Sequence, residues 1–155
     1  MIRKKITIYT AGSFDLFHFG HLNILLKAKK IGDYLIVGVS TDKLIKKYKK
    51  IEPVINYKER VSIIKELSCV DKVIQQKAFF DTNQLKKYNI DIIVLGSDWK
   101  GKKFPELEKC LKKLNIKIVY VPYTKHLSSS KIKEKIIRNS YDIIKSQIRR
   151  KNNGK

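Results

Sequence analysis

A chain of 155 residues that is 43% hydrophobic and 10% aromatic is long enough to bury a core and too apolar for a disordered protein. Its apolar runs are far too short to span a membrane and no secretory signal opens it, so we expect a cytoplasmic protein without a membrane partner. Cys69 and Cys110 lack metal-binding spacing, which predicts reduced thiols.

The net charge of +21 is the strongest compositional signal. Such a charge is typical of proteins that bind nucleic acid, but the lysines are spread over the whole chain and no RNA-binding motif accompanies them. A small polyanionic substrate explains a basic cleft equally well. We therefore expect no nucleic-acid partner. A basic nucleotide- or RNA-binding module without activity stays open as an alternative.

Apolar β-branched runs alternate along the chain with segments of helical periodicity. The predicted elements, in chain order, are strand 4–10, helix 20–32, strand 33–40, a lysine-rich irregular connection 41–56, helix 57–67, strand 70–75, helix 82–89, strand 90–97, helix 104–115, strand 116–122 and helix 128–148. The last seven residues, "RRKNNGK", predict a frayed basic tail.

This alternation indicates βαβ units and a parallel sheet. We predict an α/β, Rossmann-like single domain, with a five-stranded, mostly parallel sheet and helices on both faces. The folded domain is placed at residues 1–140, and residues 141–155 form the end of the last helix and the basic tail.

Three polar segments follow predicted strands, at the edge of a parallel sheet where ligands bind. They are "GSFDLFHFGH" (12–21), "GSDWKG" (96–101) and "YTKHLSSS" (123–130). His18 and His21 lie three apart at a helix start, where backbone N–H groups and the helix dipole favour a phosphate. The convergence of the three segments predicts a site for a phosphate chain.

Each segment also has a structural explanation. The two histidines could cap or pack the helix, and Ser128–Ser130 could be an ordinary serine N-cap. The lysine run 46–50 is most simply a solvated loop, although such a loop could also fold over a polyphosphate and supply ammonium groups.

Several stretches together resemble the glycerol-3-phosphate cytidylyltransferase family of the HxGH nucleotidyltransferase superfamily. They are "FDLFHFGH", "GDYLIVGVSTD", "YKER", "GSDWKG" and "SSSKIKEKI". The resemblance implies transfer of CMP from CTP to a small phosphorylated alcohol, with release of pyrophosphate. Glycerol 3-phosphate, giving CDP-glycerol, is the first expected acceptor, ahead of choline, ethanolamine or another polyol phosphate.

The resemblance also assigns site residues. His18, His21 and Lys49 would be catalytic. The CTP site would comprise Ser13, Phe14, Asp15, Gly20, Gly96, Asp98, Ser128, Ser129 and Ser130. The acceptor would meet Lys47, Arg60 and Tyr123. The family further implies Mg²⁺ held mainly by nucleotide phosphates, with no protein metal site, and a homodimer.

The chain departs from the family at three cationic positions expected near phosphates. One family arginine is Ser68 here and another is Tyr123, with Lys125 and His126 as possible substitutes, and a family lysine has no clear counterpart near residues 81–83. These replacements affect the predicted identity of the acceptor more than the predicted transfer reaction. The alternative enzyme is an ATP-dependent adenylyltransferase of the same superfamily acting on a cofactor precursor.

Overall fold

The computed structural model describes residues 3–101 and 105–153, apart from the side chains of Glu106 and residues 148–153. The elements are β1 (Thr7–Gly12), α1 (Phe19–Lys29), β2 (Tyr34–Ser40), α2 (Asp42–Lys49), α3 (Tyr57–Lys65), β3 (Lys72–Gln76), α4 (Thr82–Lys87), β4 (Ile92–Gly96), a 3₁₀ turn (Ser97–Trp99), α5 (Pro105–Lys113), β5 (Lys117–Val121) and α6 (Ser129–Asn153).

The five strands form one parallel sheet in the order β3-β2-β1-β4-β5. β1 pairs with β2 along its whole length, but its pairing with β4 is confined to Ile8↔Ile92 and Tyr9↔Ile93. The chain reverses its direction of winding at β1, so the gap between the carboxyl ends of β1 and β4 is the sheet's topological switch point. The predicted fold class is confirmed.

Alternating side chains of the strands build a core on each face of the sheet. On one face, Ile8 and Leu35 pack in a cluster with Leu25 of α1 and Ile64 of α3. On the other face, Tyr9 and its neighbours pack with residues of α4 and α5. Both faces of the sheet are therefore covered, so a ligand site can form only at the ends of the strands.

Aspartates that precede three strands brace the opposite edge of the sheet. The Asp33 carboxylate accepts from the Ile6 N–H, and the Asp91 carboxylate accepts from the Thr7 N–H. Asp71 accepts from the Leu35 N–H at 2.6 Å and pairs with Lys29. Each carboxylate joins neighbouring strands, which stabilises their register.

The helix α2 corrects the expectation of an irregular connection at 41–56. The Thr41 side chain accepts from the Leu44 N–H and caps the helix, and Leu44 and Ile45 are buried. Two apolar residues among lysines were too few to show helical periodicity in the sequence. The predicted frayed tail is also wrong up to Asn153, because α6 continues to that residue. Phe104, the first residue of predicted helix 104–115, lies outside the described residues.

We predict that Asp71→Asn weakens the fold in a pH-dependent way. Burial opposes ionisation, but hydrogen bonds from Lys29 and the Leu35 N–H outweigh it and hold the pKa of Asp71 below its ordinary value. The ionised form therefore stabilises the fold above the ordinary pKa of an aspartate, about 3.9, and this contribution is lost as the pH falls. Urea unfolding should show the variant less stable by up to about 1 kcal/mol at pH 7.

The difference in unfolding free energy between the wild type and Asp71→Asn should become smaller below pH 4, where the wild-type carboxylate takes up its proton. Asp142→Asn, which changes an exposed carboxylate of α6, is the matched control and should cost little at either pH. An equal loss for Asp71→Asn at pH 3 and pH 7 would contradict this account.

Candidate active site

The turn between β1 and α1 holds the first half of the site. Phe14 and Leu16 have φ values of 52° and 50°, in the left-handed region that L-residues adopt only when surrounding structure enforces it. His18 is the extended N-cap residue of α1, and the N–H groups of His21 and Leu22 donate to its carbonyl. The turn thereby sets both histidines at the start of the helix.

The two imidazoles stack on each other. Their ring centroids are 3.8 Å apart and the rings are inclined by 17°. Phe17 stacks on the far side of His21, and Phe14 meets it edge-on. Gly20 is required by this arrangement, because a Cβ there would come within 2.9 Å of the His18 ring.

Burial keeps both histidines neutral. Burial, together with the charges of His18 and Lys49 and against that of Asp15, lowers the pKa of His21 to about 3. Burial also lowers the pKa of His18. Among the described residues, the Nδ1 atoms of both rings have no hydrogen-bond partner. The pair therefore presents neutral imidazoles held in place by packing.

Asp15 joins three segments of the chain. Its carboxylate accepts from the N–H groups of Val54 and Ile55 at 2.9 and 3.0 Å and from Lys133 Nζ at 2.8 Å. Its backbone carbonyl accepts from the Ser129 hydroxyl at 2.6 Å. Burial opposes the charge, but these hydrogen bonds lower the pKa of Asp15 below its usual value. The residue therefore orders the turn next to the site.

Arg60 lies elsewhere than the sequence predicted. Its side chain is fully buried, and its guanidinium donates to the carbonyls of Ser13, Ser40 and Ile55 and to the Asp42 carboxylate. Because these donors are directed at the protein and the side chain has no exposed surface, Arg60 supports the turn from behind. We correct its assignment to the acceptor site accordingly.

A cavity of about 430 Å³ opens between the carboxyl ends of β1 and β4. The predicted residues that line it are Ser13, His18, Gly20, His21, Lys49, Gly96, Asp98, Tyr123, Ser128, Ser129 and Ser130. Four others are not on its wall: Phe14, Asp15, Lys47 and Arg60. Ser68, Lys125 and His126 are likewise absent from its lining, so neither proposed substitute replaces the missing family arginine there.

Lys49 reaches the cavity from the end of α2. Its Nζ donates to Ser13 Oγ at 3.3 Å, and burial, assisted by the charge of Lys133, lowers its pKa. Lys47, two residues earlier on the same helix, does not line the cavity. The structure thus separates two lysines that the sequence grouped together.

The start of α6 forms part of the cavity wall. Ser128 caps the helix by accepting from the Lys131 N–H at 3.2 Å, so the structural explanation for this serine is also correct. Ser129 and Ser130 line the cavity as well. Unpaired N–H groups at the start of a helix bind anions, which makes this end suited to a phosphate.

An aromatic cluster of Tyr48, Phe79, Phe80 and Trp99 forms another part of the wall. Phe79 lies 5.1 Å from Trp99 and 5.4 Å from Tyr48 and from Phe80, measured between ring centroids. None of these four aromatic residues is among the site residues predicted from the sequence. The run "AFFD" after β3 was the available signal, since β3 ends at the same edge of the sheet as the other motifs.

Comparison with known proteins agrees with this geometry. The sequence profile of the family described as "Cytidylyltransferase-like" matches residues 9–135. The chain belongs to this family. It is 39% identical over 135 residues to the glycerol-3-phosphate cytidylyltransferase of Bacillus subtilis (strain 168), covering 86% of this chain and 97% of that protein. The predicted family and the predicted nucleotidyltransferase activity are thereby confirmed.

The chain is also similar to proteins with other names. The chain is 36% identical over 141 residues to the FAD synthase of Thermococcus sibiricus, covering 87% of this chain and 95% of that protein. A solved lipopolysaccharide core biosynthesis protein from Thermoplasma volcanium matches with a TM-score of 0.64 and 31% identity, over 80% of this chain and 100% of that one. Proteins with different names are therefore similar to this chain over most of its length.

We predict that His21 does not titrate in the free protein between pH 8 and pH 5, because burial holds its pKa near 3. The measurement is the imidazole chemical shifts followed by NMR through that range, with His21 assigned from a His21→Gln variant. A titration midpoint near 6.5, the ordinary value for histidine, would show that the ring is not buried as described.

Proposed function

We propose that the protein transfers CMP from CTP to a small phosphorylated alcohol and releases pyrophosphate. Glycerol 3-phosphate, giving CDP-glycerol, is the proposed acceptor, supported by the B. subtilis relative. The observation that carries the proposal is the meeting of the stacked histidines, Lys49 and the start of α6 around one cavity at the switch point of the sheet.

The reaction needs positioning and charge stabilisation more than acid–base catalysis. A phosphate monoester has a second pKa of about 6, so the acceptor is already a dianionic nucleophile at neutral pH. It attacks the α-phosphate of CTP, a new P–O bond forms, and the bond to the leaving pyrophosphate breaks. Negative charge grows on the α-phosphate and the pyrophosphate, and nearby donors stabilise it.

The cavity supplies such donors without a general base. His18 and His21 act as neutral N–H donors, since burial lowers the pKa of each. Lys49 contributes an ammonium group, and the first turn of α6 contributes backbone N–H groups and serine hydroxyls. Asp15 is engaged by Lys133 and two backbone N–H groups, so it positions the turn and does not act as a base.

The 3₁₀ turn after β4 is the proposed site of base recognition. Gly96 and Asp98 line the cavity, and the Ser97 hydroxyl accepts from the Tyr123 N–H at 3.1 Å, which ties this turn to the segment after β5. The aromatic cluster is the proposed neighbour of the acceptor's alcohol portion, with Tyr123 on the adjacent wall. Lys47 does not line the cavity, so we propose only that its charge attracts the anionic acceptor from outside the cavity.

Mg²⁺ fits this site as an ion carried by the nucleotide. Among the described residues there is no group of three side chains that could hold a metal, and both oxygens of the nearby Asp15 carboxylate already accept hydrogen bonds. Mg²⁺ commonly keeps phosphate and water ligands, and when bound it would neutralise charge on the phosphates. Asp98, exposed on the cavity wall, is the proposed protein contact for one of its waters.

The ATP-dependent adenylyltransferase remains a second candidate. The relationship to an archaeal FAD synthase, at 36% identity across most of both chains, is the observation that favours it. The two candidates share the phosphate-facing half of the cavity and differ in the base that the 3₁₀ turn would accept. A homodimer in the cytoplasm, implied by the family resemblance, is proposed for either candidate.

We predict that pyrophosphate release by the purified protein with Mg²⁺ requires CTP and is fastest with glycerol 3-phosphate among a panel of phospho-alcohols. Lys49→Met should lower kcat/KM by about 100-fold, the scale of losing one donor to a developing charge. Lys47→Met makes the same charge change two residues away, off the cavity wall, and should have a small effect.

Equal or faster turnover with ATP and a flavin or pantetheine precursor would overturn the cytidylyl assignment and establish the second candidate. If both lysine variants lost the same amount of kcat/KM, only the net charge would matter, and the position of Lys49 on the cavity wall would not explain its role. Preference for another phospho-alcohol with CTP would correct the acceptor and leave the reaction class intact.

A further inference from the structure

The cavity extends past the phosphate-facing residues to the carboxyl ends of β2 and β3. Two polar residues line this part, Ser40 at the end of β2 and Gln76 at the end of β3. They are register partners in the sheet, and only 1% of Ser40 and 7% of Gln76 is exposed. Neither residue has a part in the reaction described above. Buried polar groups on the wall of a cavity point to a ligand that pairs with them.

Three hydrogen bonds hold Gln76 in one orientation. Its Oε1 accepts from the Ser40 hydroxyl at 2.6 Å, and its Nε2 donates to the Phe79 carbonyl at 3.0 Å. Its backbone carbonyl accepts from the Thr41 N–H at 3.1 Å. Among the described residues, these bonds use one of the two amide hydrogens and one of the two lone pairs of Oε1. The amide therefore keeps one donor and one acceptor for a group in the cavity.

Ser40 is itself fixed from two sides. Burial raises the pKa of Tyr48 and a hydrogen bond with the Ser40 side chain lowers it, so the two hydroxyls are partners. Because the Ser40 hydroxyl donates to Gln76, its oxygen is free to accept from Tyr48. The Ser40 carbonyl accepts from the buried guanidinium of Arg60 at 2.8 Å. The linked side chains of Tyr48, Ser40 and Gln76 therefore orient the amide before a ligand binds.

The chemistry of this part of the cavity matches a hydroxyl group. A free donor next to a free acceptor suits a hydroxyl, which both accepts and donates. A cationic headgroup such as that of phosphocholine could instead lie on the aromatic cluster. However, Lys49 Nζ lies 5.9 Å from the centroid of the Tyr48 ring, so a positive charge beside the cluster disfavours a second one. The neutral amide of Gln76 therefore favours a polyol phosphate.

We propose that Gln76 determines the acceptor specificity of this protein by hydrogen bonding to a hydroxyl of the phospho-alcohol. Ser40 is a positioning residue, because it acts through the amide of Gln76. The inference rests on the proposed function and names the side chain that separates a polyol phosphate from a plain alkyl phosphate. A site built to pair with a hydroxyl discriminates against an analogue without one, because the buried polar groups of the site are then left unpaired.

The test compares two acceptors that differ only in their hydroxyls, glycerol 3-phosphate and n-propyl phosphate, with saturating CTP and Mg²⁺. The wild type should favour glycerol 3-phosphate in kcat/KM by about 100-fold or more. Gln76→Met removes the amide at nearly unchanged length and should lower that ratio by about tenfold or more, through slower turnover of glycerol 3-phosphate. The kcat/KM for n-propyl phosphate and the KM for CTP should change by less than about twofold, since neither substrate depends on the amide.

Gln84→Met is the matched control. Gln84 also donates to a carbonyl of this segment, that of Gln75 at 2.9 Å, but it does not line the cavity, so its variant should keep the wild-type ratio. Ser40→Ala releases the amide without changing Gln76 and should lower the ratio in the same direction by a smaller factor. Melting temperatures report whether each variant folds, and Ser40→Ala, the smaller change, carries the test if Gln76→Met does not.

Four results would overturn the inference. They are an unchanged ratio in Gln76→Met (or in Ser40→Ala, where the first variant does not fold), an equal loss for both acceptors, equal effects in Gln76→Met and Gln84→Met, or faster wild-type turnover of phosphocholine than of glycerol 3-phosphate. In each of these cases CTP still reacts with a phospho-alcohol, so the proposed transfer reaction stands. Absence of CTP-dependent pyrophosphate release with every phospho-alcohol would overturn both.

Discussion

The buried carboxylate of Asp15 is the contact on which the assembly of the site depends. It holds the turn after β1, the segment before α3 and the start of α6 to one another. Those segments are separated by about 40 and about 118 residues in the chain, so no local preference could bring them together. A buried charge that loses its partners is strongly destabilising. Loss of any one of these contacts therefore destabilises the turn that the others hold.

Arg60 performs a complementary task from the opposite side of the same turn. Its buried guanidinium binds the carbonyls at Ser13 and Ser40, the ends of the first two strands, and so fixes the strand ends relative to each other. Asp15 and Arg60 together allow the turn to keep two residues in left-handed conformations. The histidines need no strong hydrogen bonds of their own, because the turn and the aromatic rings around His21 hold them.

The fold was predictable because buried parallel strands have continuous apolar sequences, as in "LIVGV" and "IIVLG". The HxGH turn and the serines at α6 were predictable because their chemistry is local. The helix α2 was missed because only Leu44 and Ile45 show its buried side. Arg60 was misplaced because a charged residue in a motif suggests a ligand contact, whereas its burial depends on carbonyls distant in sequence.

The most direct test of the central claim, that the stacked histidines stabilise charge during phosphoryl transfer, is kcat and melting temperature measured on the same variants. His18→Ala and His21→Ala should each lower kcat by about 100-fold or more, with a stability loss of no more than about 1–2 kcal/mol. Affinity for CTP should change much less, since these contacts strengthen in the transition state. Phe19→Ala, an exposed residue between the two, is the control. Variants that unfold more readily yet turn over CTP normally per folded molecule would show that the histidines only pack the helix, and would contradict the account.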